Sequence, residues 1–198
     1  MPPKTQYNFT DPASRIMKTP NGFQQCYNAQ AAVAAGSLLV IAADVVQAPN
    51  DKQQLEPMLG KLAVLPDELG NVEALLADNG YFSESNVNAC TSAGIDPVIA
   101  MGREAHHPSL DERFAGPPPS PPNDPTPLAA MGHHLKTPEG KKLYALRKQT
   151  PEPVFGIIKS VLGFRQFLLR GIDNVRGEWN LVTMAWNMKR MFVLAGAN

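Results

Sequence analysis

Three features of the sequence predict an α/β fold. The apolar run Val72, Ala74, Leu75, Leu76 and Ala77 delivers a carboxylate, Asp78, to the turn Asn79-Gly80, which is how a buried parallel strand ends. Ahead of it, Leu38 to Val46 is an apolar strand interrupted only by Asp44, and Leu55, Met58, Leu59, Leu62 and Ala63 then recur at helical spacing. Behind it, a helix from about Ser83 leads to a short strand, Pro97 to Ala100. Strand, helix, strand, helix, strand in that order implies parallel strands joined by crossovers.

Taken in order, residues 1–22 are polar and broken by Asp11-Pro12, Thr19-Pro20 and Asn21-Gly22, so an irregular lead-in is expected. Residues 23–115 form the α/β part. Phe23 to Val33 is read as one strand, turned through Ala34-Ala35-Gly36-Ser37 into an antiparallel hairpin with Leu38 to Val46. Asn50 is placed to cap a helix starting at Asp51, and Val87, Ala89 and Cys90 are the apolar residues of the helix after Ser83. Residues 116–136 are read as a proline-rich insertion, stiff and extended, because seven prolines fall between Gly116 and Pro127.

Residues 137–198 are expected to be a basic helical region. Thr137 caps a helix with Pro138 at its first position, running to about Gln149. Pro151 and Pro153 suit the first turn of the next helix, where missing N–H groups cost nothing, and Val154, Phe155, Ile157, Ile158, Val161 and Leu162 supply its buried stripe. A further helical stretch after Gly163 carries Arg165, Arg170 and Arg176. Val175, Trp179, Val182 and Trp186 mark the closing helix, with both tryptophans read as core.

The chain has 198 residues, 43% of them apolar, enough to bury one domain's core. No run of about 18 apolar residues occurs, and Met1-Pro2-Pro3-Lys4 lacks the apolar stretch of a signal peptide, so a cytoplasmic protein with no membrane partner is expected. Cys26 and Cys90 have neither framework nor metal spacing and read as ordinary thiols. A net charge of zero hides a sorting: residues 1–132 hold 7 basic against 14 acidic side chains, and residues 133–198 hold 11 against 4. A basic arm facing nucleic acid, joined to a domain with a carboxylate site, accounts for this, as does mutual neutralisation within one fold.

Asp78 is the first catalytic candidate, since ligands collect at the carboxyl ends of strands in open α/β sheets. On that stretch alone, an Asp hydrogen-bonding its own turn is the better reading. Glu152 is the second. It opens a helix, whose positive end favours a carboxylate, in a basic run of Lys141, Lys142, Arg147, Lys148 and Lys159. Carboxylates beside cations suit a divalent ion shared with a phosphate. His106-His107 and His133-His134, with Asp111 and Glu112, lack zinc-type spacing and read as solvent-exposed.

Asp78-Asn79-Gly80-Tyr81 after an apolar strand, followed by Tyr144-Ala145-Leu146-Arg147-Lys148 with Glu152 and Lys159, resembles the second Asp and the Glu-containing signature of DDE transposases of bacterial insertion sequences. Asp11 to Arg15, Tyr27 to Val33, Asn50 to Leu55 and Glu152 to Gly156 are similar to further segments of one subgroup of that family. The resemblance implies an incomplete ribonuclease H-like fold, a mixed sheet with flanking helices, plus the basic helical region. It also implies two Mg2+ (or Mn2+) ions in a complete site, Asp78 and Glu152 as catalytic metal ligands, and DNA held by Tyr144, Arg147, Lys148, Lys159 and Arg165. The complete form would cleave and transfer DNA strands at insertion-sequence ends.

One departure stands out. The family's first catalytic Asp lies on a strand upstream of the Asp-Pro-x-Ser-Arg segment, and neither Asp11 nor Asp44 matches its motif. The expectation is therefore a truncated chain, inactive alone, with a ligand unfilled and a gap in its sheet. The alternative role is a catalytically inactive truncated remnant that binds DNA or a full-length transposase; the partners expected are DNA and either a homo-oligomer or a full-length transposase.

Overall fold

A computed structural model describes residues 7–19, 22–102, 120 and 123–196. They form a mixed α/β structure of small sheets and helices in two compact units, one built from Met1–Asn50 with Thr150–Asn198 and the other from Asp51–Gln149. Strands among the described residues pair in twos: β1 (Arg15–Thr19) with β2 (Gly22–Cys26), β3 (Asn28–Val33) with β4 (Val40–Val46), and β5 (Ala74–Ala77) with β6 (Asp96–Ile99).

In the first, discontinuous unit, β3 and β4 pair antiparallel, Asn28 opposite Val46 and Ala31 opposite Ala43, as the hairpin reading expects. Helices α5 (Pro151–Ser160) and α6 (Ile172–Ala195) supply the rest of its core, in which Val40, Val45, Val154, Ile158, Val175, Trp179 and Trp186 are buried together. Phe155 stacks on Trp179 at 5.5 Å between ring centroids. Both indoles donate to the hairpin backbone, Trp179 Nε1 to the Gln30 carbonyl at 3.0 Å and Trp186 Nε1 to the Leu38 carbonyl at 2.8 Å. Such rings bury large apolar area while leaving no polar atom unsatisfied, and truncating either to Ala would cost about 3–5 kcal/mol. Asn187 acts as a strand edge: its Oδ1 accepts from Val40 N at 2.8 Å and its Nδ2 donates to Val40 O at 2.7 Å.

In the second unit, β5 and β6 are parallel, Ala74 opposite Asp96 and Ala77 opposite Ile99, joined through α2 (Glu84–Ser92). Of the expected strand, helix, strand, helix, strand unit only the last three elements form a parallel pair; β4 pairs with β3 alone, so the expected run of parallel strands from Leu38 onward is not found among the described residues. Ser83 caps α2 by accepting from Asn86 N, and the buried Asn86 amide donates to the Lys52 and Tyr81 carbonyls at 2.8 and 2.6 Å. Leu55, Leu59 and Leu62 are the buried face of α1 (Leu55–Leu62). Helices α3 (Pro127–His134) and α4 (Pro138–Ala145) follow, the latter capped by Thr137 with Pro138 in its first turn as expected.

Several expectations fail for identifiable reasons. The lead-in is not wholly irregular, because Arg15–Thr19 pairs with Gly22–Cys26 and buries Met17. Phe23 to Val33 is two strands, broken at Tyr27. The first helix starts at Leu55 rather than Asp51, since residues 52–54 form a turn and Gln54 occupies the cap without a side-chain bond. Part of the proline-rich stretch is helical: Thr126 accepts from Ala129 N and Pro127 takes the first position of α3. The remainder of the insertion, Gly116 to Pro122 except Ser120, lies outside the described residues, as do His106, His107, Asp111 and Glu112. Residues 161–171 are irregular rather than helical, with Gly163 and Gly171 at φ of +75° and +80°, and Val161 is exposed rather than core. His133 and His134 are half-buried, and His134 Nδ1 lies 3.2 Å from Asp96 Oδ2.

Candidate metal centre and nucleic-acid interface

Asp78 follows the last residue of β5 and is exposed. Its backbone is extended, and its Oδ1 accepts from Gly80 N at 2.8 Å at the head of the 3-10 turn Asn79–Tyr81. The turn role and the strand-end position therefore coexist. A carboxylate has about four lone-pair sites, so one hydrogen bond leaves room for a cation. A Cβ at Gly80 would lie 2.9 Å from Asp78 Oδ1 and 3.3 Å from Asp51 Oδ2. Two carboxylates thus flank one glycine. In the sequence Asp51 reads as a helix start, and its position just past β4 is the one signal that sets it apart.

The same edge of the parallel pair carries the basic residues. Ala100, directly after β6, bonds through its N–H to Ala77 O at 3.2 Å, so residues 78 and 100 leave adjacent strand ends. Tyr144 is buried against Val98 and Ala100. The Arg147 guanidinium lies 5.5 Å from the centre of the Tyr144 ring, a cation–π contact that holds it over the aromatic face. A cavity of about 360 Å³ opens here, lined by Ala100, Leu135, Lys141, Tyr144 and Lys148 among others. Two lysines over an apolar floor, at the carboxyl ends of parallel strands, make an anion-receptive concavity.

Glu152, Lys159 and Arg165 lie in the other unit. Glu152 is exposed in the first turn of α5, where the unpaired N–H groups favour a negative charge. Lys159, in the last turn, places Nζ 6.0 Å from the centre of the Phe155 ring. With Arg165 and Arg170 it borders a groove of about 1110 Å³ whose walls include Tyr27, Phe167 and Trp179. Within their own units, then, Asp78 follows the strand paired with β6, whose following residue Ala100 lines the cavity with Tyr144 and Lys148, and Lys159 shares a groove with Arg165.

The oxygen donors of Asp78 and Glu152 suit a hard divalent cation. Among the described residues, however, no group of three or more His, Cys, Asp or Glu gathers as a metal site. The aspartates set aside on motif grounds have structural partners. Asp11 accepts from Tyr27 Oη at 2.8 Å through both oxygens and from Gly171 N at 3.2 Å, while Asp44 Oδ1 accepts from Arg176 Nε at 3.0 Å and Val45 N at 2.7 Å. Burial, then the hydrogen bond and charge of Asp11, push the Tyr27 phenol up to about 12. Burial likewise raises the Cys90 thiol to about 11, so it is an inert core thiol. No helix of the described residues is long and apolar enough to cross a membrane.

No curated protein and no solved structure matches the chain. Residues 124–192 match the family model described as a transposase DDE domain. The matched stretch holds Tyr144, Arg147, Lys148, Glu152, Lys159 and Arg165, whereas Asp78 lies ahead of it. Over residues 124–192, about a third of its length, the chain is therefore similar to a transposase DDE domain.

Proposed function

We propose that this chain acts on DNA in the cytoplasm as part of a DDE transposase with a ribonuclease H-like core, and that Asp78 and Glu152 are two of its metal-holding carboxylates. The observation that carries this reading is the transposase-domain match across residues 124–192, which contains Glu152 and the run from Tyr144 to Lys148. Asp78 joins them because it ends a parallel strand beside the cavity lined by Tyr144 and Lys148.

Each residue has a physical task. Lys148, Lys159 and Arg165 neutralise backbone phosphates, and Arg147 is held on Tyr144 so that its charge is presented without being free to swing. Asp78 and Glu152, both exposed, offer oxygen ligands to Mg2+ or Mn2+. Such ions, when bound in pairs, activate the attacking oxygen and stabilise the leaving one in phosphodiester cleavage and strand transfer.

A second reading, DNA binding without catalysis, is favoured by one observation, the absence among the described residues of three gathered metal-ligating side chains. One assay separates the two. The 198-residue chain is incubated with supercoiled plasmid in Mn2+, beside Asp78→Ala and Glu152→Ala. Nicking or joining lost in both variants supports the catalytic reading. Retarded but intact plasmid supports binding alone, and neither binding nor cleavage at low salt removes both.

A further inference from the structure

The loop between α5 and α6 is held in two different ways along its length. Gly163 and Gly171, at φ of +75° and +80°, turn the chain at its two ends. In the first half, Phe164 and Phe167 pack on the buried Trp179, with ring centroids 6.3 and 6.4 Å from it. The second half has no apolar anchor, because Leu168 and Leu169 are 74% and 51% exposed. Polar ties replace it. Leu168 N donates to Glu178 Oε1 at 2.9 Å and to Oε2 at 3.1 Å, Leu169 N donates to Oε2 at 3.0 Å, and Asn174 Nδ2 donates to the Arg170 carbonyl at 3.0 Å. Hydrogen bonds to a carboxylate are roughly twice as strong as neutral ones, so Glu178 is the main fastening of this half.

The arginines of this unit fall into two groups. Arg15 Nη1 donates to the Pro12 and Ser14 carbonyls, Arg176 pairs with Asp44 and Asp173, and Arg190 Nε donates to the Ser37 carbonyl. Arg165 and Arg170 are exposed, and among the described residues no acid pairs with either guanidinium. Both line the groove of about 1110 Å³ together with Lys159. Glu178, the acid nearest to them along the chain, is spent on backbone N–H groups. We infer that Arg170 is a further phosphate-contacting residue and that Glu178 is its positioning residue, fixing the loop so that the guanidinium stands at the groove before DNA arrives. The inference rests on the DNA-binding reading above, and neither residue is among the contacts expected from the sequence. A loop ordered in advance loses less freedom on binding, which is where Glu178 contributes. The sign of one substitution decides the matter. An acid beside a phosphate-binding groove repels DNA or competes for its N–H groups, so removing Glu178 on either ground would tighten binding. Positioning predicts the reverse.

The test is fluorescence anisotropy of a labelled DNA duplex titrated with the 198-residue chain across a salt series. Arg170→Ala should weaken binding and lower the salt slope by about 0.9. Glu178→Ala should weaken it roughly 3- to 10-fold, the loss expected when a long side chain must be ordered on binding. Once Arg170 is replaced, Glu178→Ala should have no further effect, since the two act as one unit. Glu178→Gln keeps one oxygen for the two N–H groups and should recover most of the affinity, although it lacks the charge as fully as Ala does. Circular dichroism should show wild-type helix content and melting in every variant, because the loop lies at the surface. Three results would overturn the inference: tighter binding by Glu178→Ala and Glu178→Gln alike, an unchanged slope in Arg170→Ala, or additive losses in the double variant. Wild-type chain that binds no duplex at low salt would remove the DNA reading itself, and this inference with it. Normal wild-type binding with unaffected variants would remove only the roles of Arg170 and Glu178.

Discussion

Replacing Asp78 separates its two roles, because the turn and a metal need different things from the same carboxylate. The turn needs one acceptor: Oδ1 receives Gly80 N at 2.8 Å from an exposed side chain. Asn offers an acceptor of the same shape at the same atom, so Asp78→Asn should change stability by less than about 0.5 kcal/mol, whereas Asp78→Ala forfeits the cap and should cost roughly 1 kcal/mol. A divalent cation needs the negative charge, which Asn lacks. If Asp78 holds an ion, Mg2+ at ten times its dissociation constant should stabilise the wild type by about 1.4 kcal/mol and Asp78→Asn by almost nothing. Urea unfolding of the three proteins with and without Mg2+ measures both effects. An equal Mg2+ response in wild type and Asp78→Asn would refute the metal role and leave Asp78 as a turn residue. A large loss of stability in Asp78→Asn without metal would show that the hydrogen bond has been misread.

Gly140→Ala should destabilise by about 2 kcal/mol or more, since its Cβ would run into the His134 backbone carbonyl, which has no rotamer to change. Gly156→Ala in α5, where a Cβ meets nothing, should instead stabilise by about 0.5–1 kcal/mol in the same urea titration. The Tyr27 phenol stands at about 12 in the folded chain against an ordinary value of 10. The folded state therefore holds that proton more tightly, so its contribution is complete below pH 10 and is lost as pH rises towards 12. For a partly buried ring the loss should be roughly 1 kcal/mol after screening, and Tyr27→Phe should abolish that part of the slope in pH-dependent melting. Lys148→Ala and Lys159→Ala should each weaken duplex binding for all sequences alike and lower the salt slope by about 0.9, measured by fluorescence anisotropy. An unchanged slope would remove that lysine from the phosphate contacts.

Much of the local structure could be read from short-range chemistry. Ser83 and Thr137 are caps whose hydroxyls accept from Asn86 N and Gly140 N, and Pro138 and Pro151 sit in first turns, all as the residue order implies. The misses mostly obey the same rules applied too narrowly. Thr126-Pro127 starts α3 as Thr137-Pro138 starts α4, yet the prolines upstream drew it into an extended insertion. The basic stretch after Gly163, with Arg165 and Arg170, reads as helical in the sequence. Two glycines with positive φ and Glu178, whose carboxylate accepts from Leu168 N and Leu169 N, hold them in a loop instead. That tie spans about ten residues and leaves no periodic trace.

The division into units was harder to see, because it follows packing rather than composition. The charge sorting breaks near residue 132, but the first unit closes only when Thr150 rejoins Met1–Asn50, so the basic residues from Lys136 to Lys148 belong with the acidic α/β part. What joins the ends of the chain is a set of side chains reaching backbone groups roughly 130–160 residues away: Trp179 to Gln30, Trp186 to Leu38, Asn187 to Val40, and Gly171 N to Asp11. Asp11 shows why motif and packing must be read together. A count of acids alone would draft it as a ligand. With Tyr27 and Gly171 on its oxygens it is instead the clip that fastens the lead-in to the start of α6. Asp44 is likewise engaged by Arg176 on that helix. Asp78 and Glu152, exposed at a strand end and a helix start, differ from both in keeping their carboxylates at the surface. That exposure, rather than acidity, makes them the pair on which a metal can be tested.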